Sequence, residues 1–200
     1  NDASVRGLAN KASGAVSFSN FYGRNFDLRG QQAFTTTGLH SWTCPSKVNS
    51  VHAVCVGGGG LLAGTAASIK ALRPDVKVIG VEADDAAGMM TSLKHDKVET
   101  LTHVGLFADG AAVKRVGDET FRICKELVDE MITVETDELC AAIKLGFNDT
   151  RCILEPAGAL AIAGMCKYSR LNECKNKTFV AISSGANMDF DRLRFVSERA

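Results

Sequence analysis

From residue 51 onward the apolar positions keep a steady period, and before it they do not. Val51-His52-Ala53-Val54-Cys55-Val56 is an apolar, β-branched run that stops at Gly57-Gly58-Gly59-Gly60. A helix-forming stretch over 61–72 follows, so the pattern predicts strand, tight glycine turn, helix. Arg73-Pro74-Asp75 closes it as a turn. A second buried strand is expected over 76–82 and a helix over 85–93. Asp84 and Asp85 stand at the start of that helix, where acids suit its dipole. Strand–helix–strand at this length is a βαβ unit, which implies a parallel sheet and a right-handed crossover.

Residues 95–116 read as loop, punctuated by Gly105 and Gly110, with Gly117 just beyond. The stretch 118–129 is amphipathic, with Phe121, Cys124, Leu127 and Val128 on one face. A short strand follows over 131–134. Thr136 is expected to cap a helix reaching about 147. Glu155-Pro156 opens another helix, with Pro156 at the first position, where its missing donor is harmless. Ala157, Ala159, Ala161 and Ala163 let that helix pack tightly. A last buried strand over 178–182 breaks at Ser183-Ser184-Gly185-Ala186-Asn187, and a helix over 189–199 closes the chain. The fold class expected is α/β, an open parallel sheet with helices on both faces. Residues 1–50 are rich in Ser, Thr, Asn and Gly and stay unassigned, read as disorder or an aberrant segment. The folded, ligand-binding portion is assigned to 51–200.

Composition narrows the function. The 23 basic and 23 acidic residues cancel without runs of like charge, which argues against a nucleic-acid or membrane-surface partner. No stretch approaches the ~20 apolar residues of a membrane span. The seven cysteines form no CxxC and sit mostly in apolar runs, so buried reduced thiols are expected. That places the protein inside the cell, in cytoplasm or an organelle, with no targeting signal readable. The lack of an initiator Met reads as a fragment.

The candidate chemistry centres on the four glycines. Such a turn brings backbone N–H groups to an anion with no Cβ in the way, and the helix behind it adds its positive dipole end. Gly59 and Gly64 have the separation of a nucleotide P-loop, but Thr65-Ala66 stands where Lys-Ser/Thr is required. Gly58, Gly60 and Ala63 match a dinucleotide fingerprint, with Glu82 about where a ribose-binding acid would sit, so an NAD-binding oxidoreductase stays open. Ser184 follows a buried strand, at the edge where parallel sheets bind ligands. A turn alone also explains Ser184, and a helix cap alone explains Glu155. Gly110 permits close backbone approach, and Lys114 reads as a solvated surface charge. Glu82, Asp84 and Asp85 read as a strand end and an acidic helix start rather than a metal site.

Five stretches together resemble the threonine dehydratases (threonine ammonia-lyases) of the fold-type II, tryptophan-synthase-β-like pyridoxal-phosphate class. They are VGGGGLLAG at 56–64, KVIGVEADDA at 77–86, VGLFADGAAVKRVGDETFRICKELVD at 104–129, ILEPAGALAIAGMCKY at 153–168 and ISSGANMDFDRLRFVSER at 182–199. The likeness leans to the biosynthetic, isoleucine-pathway enzymes. The resemblance implies that Gly57, Gly58, Gly59, Gly60 and Leu61 cradle the phosphate of pyridoxal 5'-phosphate. It implies that Ser184 hydrogen-bonds the pyridine nitrogen, and that Gly110 and Glu155 lie near the cofactor. The implied reaction converts L-threonine, or L-serine as a second substrate, to a 2-oxo acid (2-oxobutanoate from threonine) and ammonia, in a homo-oligomer. The positions matching a metal site in some relatives are Glu82, Ala86 and Gly88; Gly88 offers no carboxylate, so no metal is expected.

Two family features are missing from the pattern. The Ser-aromatic-Lys-x-Arg-Gly stretch carrying the imine-forming lysine has no match in residues 1–50, where Asn10-Lys11-Ala12-Ser13-Gly14 is the nearest text. The substrate-carboxylate loop, Ser-x-Gly-Asn-His, is also absent. The expectation is an incomplete catalytic domain without its own catalytic lysine. A non-catalytic subunit that pairs with an intact enzyme is the other reading.

Overall fold

The computed structural model describes residues 16–19, 50–174 and 177–200. Five strands form one sheet in the order β1 (Val16–Ser19), β5 (Thr178–Ile182), β2 (Ser50–Cys55), β3 (Lys77–Ala83), β4 (Glu130–Val134). Every neighbouring pair is parallel. β1 lies in the stretch the sequence left unassigned and pairs with β5 from Val16 opposite Phe179 to Ser19 opposite Ile182. The rest of the expectations for residues 1–49 fall outside the described residues.

Strand alternation sorts the apolar side chains into two layers. Val51, Ala53, Ile79, Val81 and Ala83 face one side and join a core with α4 (Thr136–Thr150), α5 (Pro156–Leu171) and α6 (Arg192–Arg199). Val54, Val56 and Val78 face the other and meet α1 (Gly60–Leu72), α2 (Gly88–His95) and α3 (Asp118–Leu127). Both layers need close approach. A Cβ on Gly164 of α5 would stand 2.3 Å from Val81, and one on Gly80 would stand 2.7 Å from Leu62 of α1. The central side chains Ile79, Leu62, Leu160 and Ile162 are fully buried, each contributing about 1.5–3 kcal/mol.

Three element boundaries differ from the periodicity. The helix expected over 85–93 is a 3-10 turn, Asp84–Ala86, followed by α2 from Gly88. The buried Glu82 carboxylate sets that start by accepting the N–H groups of Met89 (2.7 Å) and Met90 (2.8 Å). α4 is capped by Glu135, not Thr136; the Glu135 N–H donates to the Glu138 carboxylate at 3.0 Å, closing the first turn. α6 begins at Arg192 rather than 189. Among the described residues six cysteines are free; Cys124 and Cys140 are buried, and Cys166 is exposed, against the expectation for an apolar run.

Candidate functional site

β2 ends at Cys55, and the Val56 N–H still bonds to Val81 O at 2.9 Å. The chain then leaves the sheet through Gly57, Gly58 and Gly59 and enters α1 at Gly60. Each glycine has a different reason to be there. Gly57 lies against the backbone of Ala111, whose Cα would be 3.1 Å from an added Cβ. Gly59 is in the left-handed region at φ 91 and serves as N-cap without a side chain. At Gly58 and Gly60 an added Cβ would meet nothing within 4 Å, so the space where their side chains would stand is open. The first turn of α1 carries no acid and no side-chain cap. Its N–H donors and dipole end are therefore presented to that open side.

The walls come from three other segments. The 3-10 turn Asp109–Ala111 brings Gly110 within 3.0 Å (Cβ to Cβ) of Ala157 and 3.6 Å of Glu155 Oε1, measured from an added Cβ. Glu155 caps α5, its N–H donates to Gly185 O at 3.2 Å, and its Oε2 accepts the Asn187 N–H at 3.2 Å. A Cβ on Gly185 would stand 2.0 Å from Glu155 Oε1, so the carboxylate lies directly on that glycine. Ser184 Oγ is 3.0 Å from Cys55 Sγ, which joins the ends of β5 and β2. Burial, with the nearby Glu155 charge, pushes the Cys55 thiol up, so it keeps its proton at neutral pH.

The structure thus brings Gly57–Gly60, Leu61, Gly110, Glu155 and Ser184 to one end of the sheet, at the carboxyl ends of β2 and β5. It separates Glu82 from them. That carboxylate is 0 % exposed and turned into α2, with burial raising its pKa to about 7 despite two backbone donors. It has no free face for a ribose. Lys114 is exposed, as expected. Among the described residues no group of three His, Cys, Asp or Glu side chains is placed to hold a metal ion. Sequence reasoning missed Cys55, whose only signal is its place two residues before the glycines. It also missed Thr120, which donates to Gly58 O from 62 residues away.

A family model described as pyridoxal-phosphate dependent enzyme matches residues 4–185. The chain belongs to the pyridoxal-phosphate dependent enzyme family. The match begins inside the stretch that periodicity left unassigned, where β1 also lies. The chain is 59 % identical over 152 residues to the biosynthetic L-threonine dehydratase IlvA of Burkholderia multivorans, covering 75 % of this chain and 30 % of that protein. It is 49 % identical over 178 residues to the mitochondrial threonine dehydratase of Saccharomyces cerevisiae, covering 86 % and 31 %. The processed form of threonine deaminase isoform 2 from Solanum lycopersicum superposes with a TM-score of 0.78 at 44 % identity, over 86 % of this chain and 49 % of that one. The chain therefore spans about three tenths of the length of the curated relatives it matches. The dinucleotide-binding alternative finds no support in these matches.

The residues fit the family's cofactor. A phosphate dianion needs donors without competing carboxylates, and the open backbone at Gly58, Gly60 and the first turn of α1 supplies them. No helix of the described residues is long and apolar enough to cross a membrane.

Proposed function

We propose that this chain is the cofactor-binding part of a threonine ammonia-lyase, which converts L-threonine to 2-oxobutanoate and ammonia and takes L-serine as a second substrate. The single observation behind this reading is the convergence of Gly57–Gly60 and Ser184 on one sheet edge, tied by the 3.0 Å contact between Cys55 and Ser184. The names of the relatives supply the substrate.

Gly57–Gly60 and Leu61 bind the phosphate through N–H groups. Ser184 donates a hydrogen bond to the ring nitrogen. A neutral hydroxyl does not hold that nitrogen protonated as a carboxylate would, and this favours β-elimination over transamination. Pyridoxal phosphate, when bound, supplies the electron sink for the pair left behind when the substrate's α-proton departs. Gly110 lets the ring side come close to backbone, and Glu155 keeps Gly185 and Asn187 in place beside it. The motif that would carry the imine-forming lysine has no match in this sequence, so no lysine of the chain is assigned that role. In support, Lys70, Lys77 and Lys167 are paired with Asp129, Glu130 and Glu138, away from the glycine loop.

The test adds pyridoxal phosphate to the chain and follows binding by phosphorus NMR, then reduces with borohydride and maps adducts by mass spectrometry. Binding without a single stoichiometric pyridoxyl-lysine is the expected result. Absence of binding sinks the cofactor reading, and one clean adduct sinks the claim about the lysine.

A further inference from the structure

The glycine loop is held from behind by a residue that no short motif marks. Gly58 O accepts two hydrogen bonds from the start of α3, one from Thr120 Oγ1 at 2.7 Å and one from the Gly117 N–H at 3.2 Å. Thr120 Oγ1 also lies 2.9 Å from Gly117 O, so its single proton is shared between the two carbonyls, with Gly58 O the nearer. A Cβ on Gly59 would stand 2.8 Å from Thr120 Oγ1 and 2.6 Å from Met89 Cε, so this side of the loop is filled. At Gly58 and Gly60, by contrast, an added Cβ would meet nothing within 4 Å.

Peptide planarity turns this contact into a statement about the ligand side. In a trans peptide the carbonyl of one residue and the N–H of the next point in opposite directions. Holding Gly58 O against α3 therefore aims the Gly59 N–H away from α3. Gly59 sits at φ 91, a region where a glycine turns over readily. Were the 58–59 peptide to flip, an oxygen would replace a donor at the anion site.

We infer that Thr120 is a positioning residue for the phosphate loop: its hydroxyl locks the Gly58–Gly59 peptide so that the Gly59 N–H faces the cofactor phosphate. This rests on the cofactor reading above. Its role is specific to the phosphate, because no atom of Thr120 is needed at Ser184 or Glu155.

The test compares the chain with Thr120→Val, which keeps the shape and removes the hydroxyl, and Thr120→Ser, which restores it. Dissociation constants are measured for pyridoxal phosphate and for pyridoxal, which lacks the phosphate, and the bound phosphorus resonance is recorded. Thr120→Val should weaken pyridoxal phosphate about tenfold, leave pyridoxal unchanged and move the phosphorus resonance. Thr120→Ser should return both to the parent values. Equal pyridoxal phosphate affinity in Thr120→Val and parent overturns the inference and leaves the cofactor reading standing. So does an equal loss for both ligands, which marks general loosening. Failure of the parent chain to bind pyridoxal phosphate overturns the cofactor reading and this inference with it.

Discussion

At the amino ends of β3 and β4, Lys77 donates to Glu130 at 2.8 Å and to the Tyr168 hydroxyl at 3.0 Å. Beside it, Lys70 meets both Val76 O and Asp129, and Asp129 also accepts the Val78 N–H at 2.7 Å. Charge there is answered by charge, and each group named has its partner within the chain. At the carboxyl ends of β2 and β5 the materials differ: a thiol, a hydroxyl, one half-buried carboxylate and glycines. Gly58 and Gly60 have open space where side chains would stand. One end of the sheet is closed by its own ion pairs, and the other exposes backbone donors. A ligand gains most where donors are fixed but unanswered, which is why the proposed function is placed at the carboxyl end.

The largest test of this contrast sets two glycines against each other. An alanine at Gly158 would put its Cβ 2.1 Å from Gly185 O, a backbone atom that cannot move without shifting the Ser184–Gly185 turn. Gly158→Ala should cost about 3 kcal/mol in urea denaturation. Gly58→Ala, with nothing within 4 Å of the added atom, should leave stability within about 0.5 kcal/mol. It should nonetheless weaken pyridoxal phosphate, because the methyl occupies the ligand's side. Comparable destabilisation in the two variants would erase the distinction between a filled and an open glycine.

A pH test comes next in size. Glu82 titrates near 7 in the fold against 4.5 otherwise, because burial disfavours its charge. The folded state holds that proton longer, so this group's contribution is full below about 4.5 and is lost as pH rises through about 7. The shift corresponds to about 3 kcal/mol. His52 acts oppositely: burial, with the Arg73 charge, lowers it from 6.5 to about 4, so its contribution is present above 6.5 and is lost as pH falls toward 4. The two slopes offset each other between about pH 4.5 and 6.5. Glu82→Gln should remove one slope and expose the other, so that stability rises with pH across this window. A flat profile in Glu82→Gln would contradict the assignment of either group.

These particulars show what the chain's pattern could convey. The strand at β2 and the turn after it were legible because a β-branched run meets four glycines locally. The parallel sheet followed from the βαβ spacing. The start of α2 was not legible, because a carboxylate six residues upstream decides it from inside the core. Ser184 was placed at the right edge by its position after a strand, but its partner Cys55 is 129 residues away. Thr120 was invisible for the same reason: a hydroxyl's partner across 62 residues leaves no period. β1 was missed because it is only four residues long: Val16-Ser17-Phe18-Ser19 alternates, but so short a run does not stand out from the Ser, Asn and Gly around it.

A smaller effect is expected at Ser184 itself. Ser184→Ala removes the hydroxyl that meets Cys55 and, under the proposed function, the ring nitrogen. The affinity for pyridoxal phosphate should fall roughly three- to tenfold, about 1 kcal/mol, as for one neutral hydrogen bond. Thermal unfolding without ligand should hardly move, since only one neutral hydroxyl–thiol contact is lost. A large loss of stability instead would make the Cys55–Ser184 contact a structural strut rather than part of a ligand site.

The least effect should come from the opposite edge, and its smallness is the point. Lys77 and Glu130 are each more than a third exposed, so their attraction is screened and partly offset by side-chain ordering. The Lys77 ammonium also lies 5.1 Å from the Tyr168 ring centroid, a contact of comparable modest weight. Lys77→Met keeps the aliphatic stem over the ring and removes the charge, leaving Glu130 with solvent. The expected loss is roughly 0.5–1 kcal/mol in urea denaturation, with pyridoxal phosphate affinity unchanged, because the amino edge lies a strand's length from the glycines. If Lys77→Met were to weaken the cofactor as much as Ser184→Ala does, the two edges would be coupled through β3. The division between a self-satisfied end and a ligand-binding end would then fail.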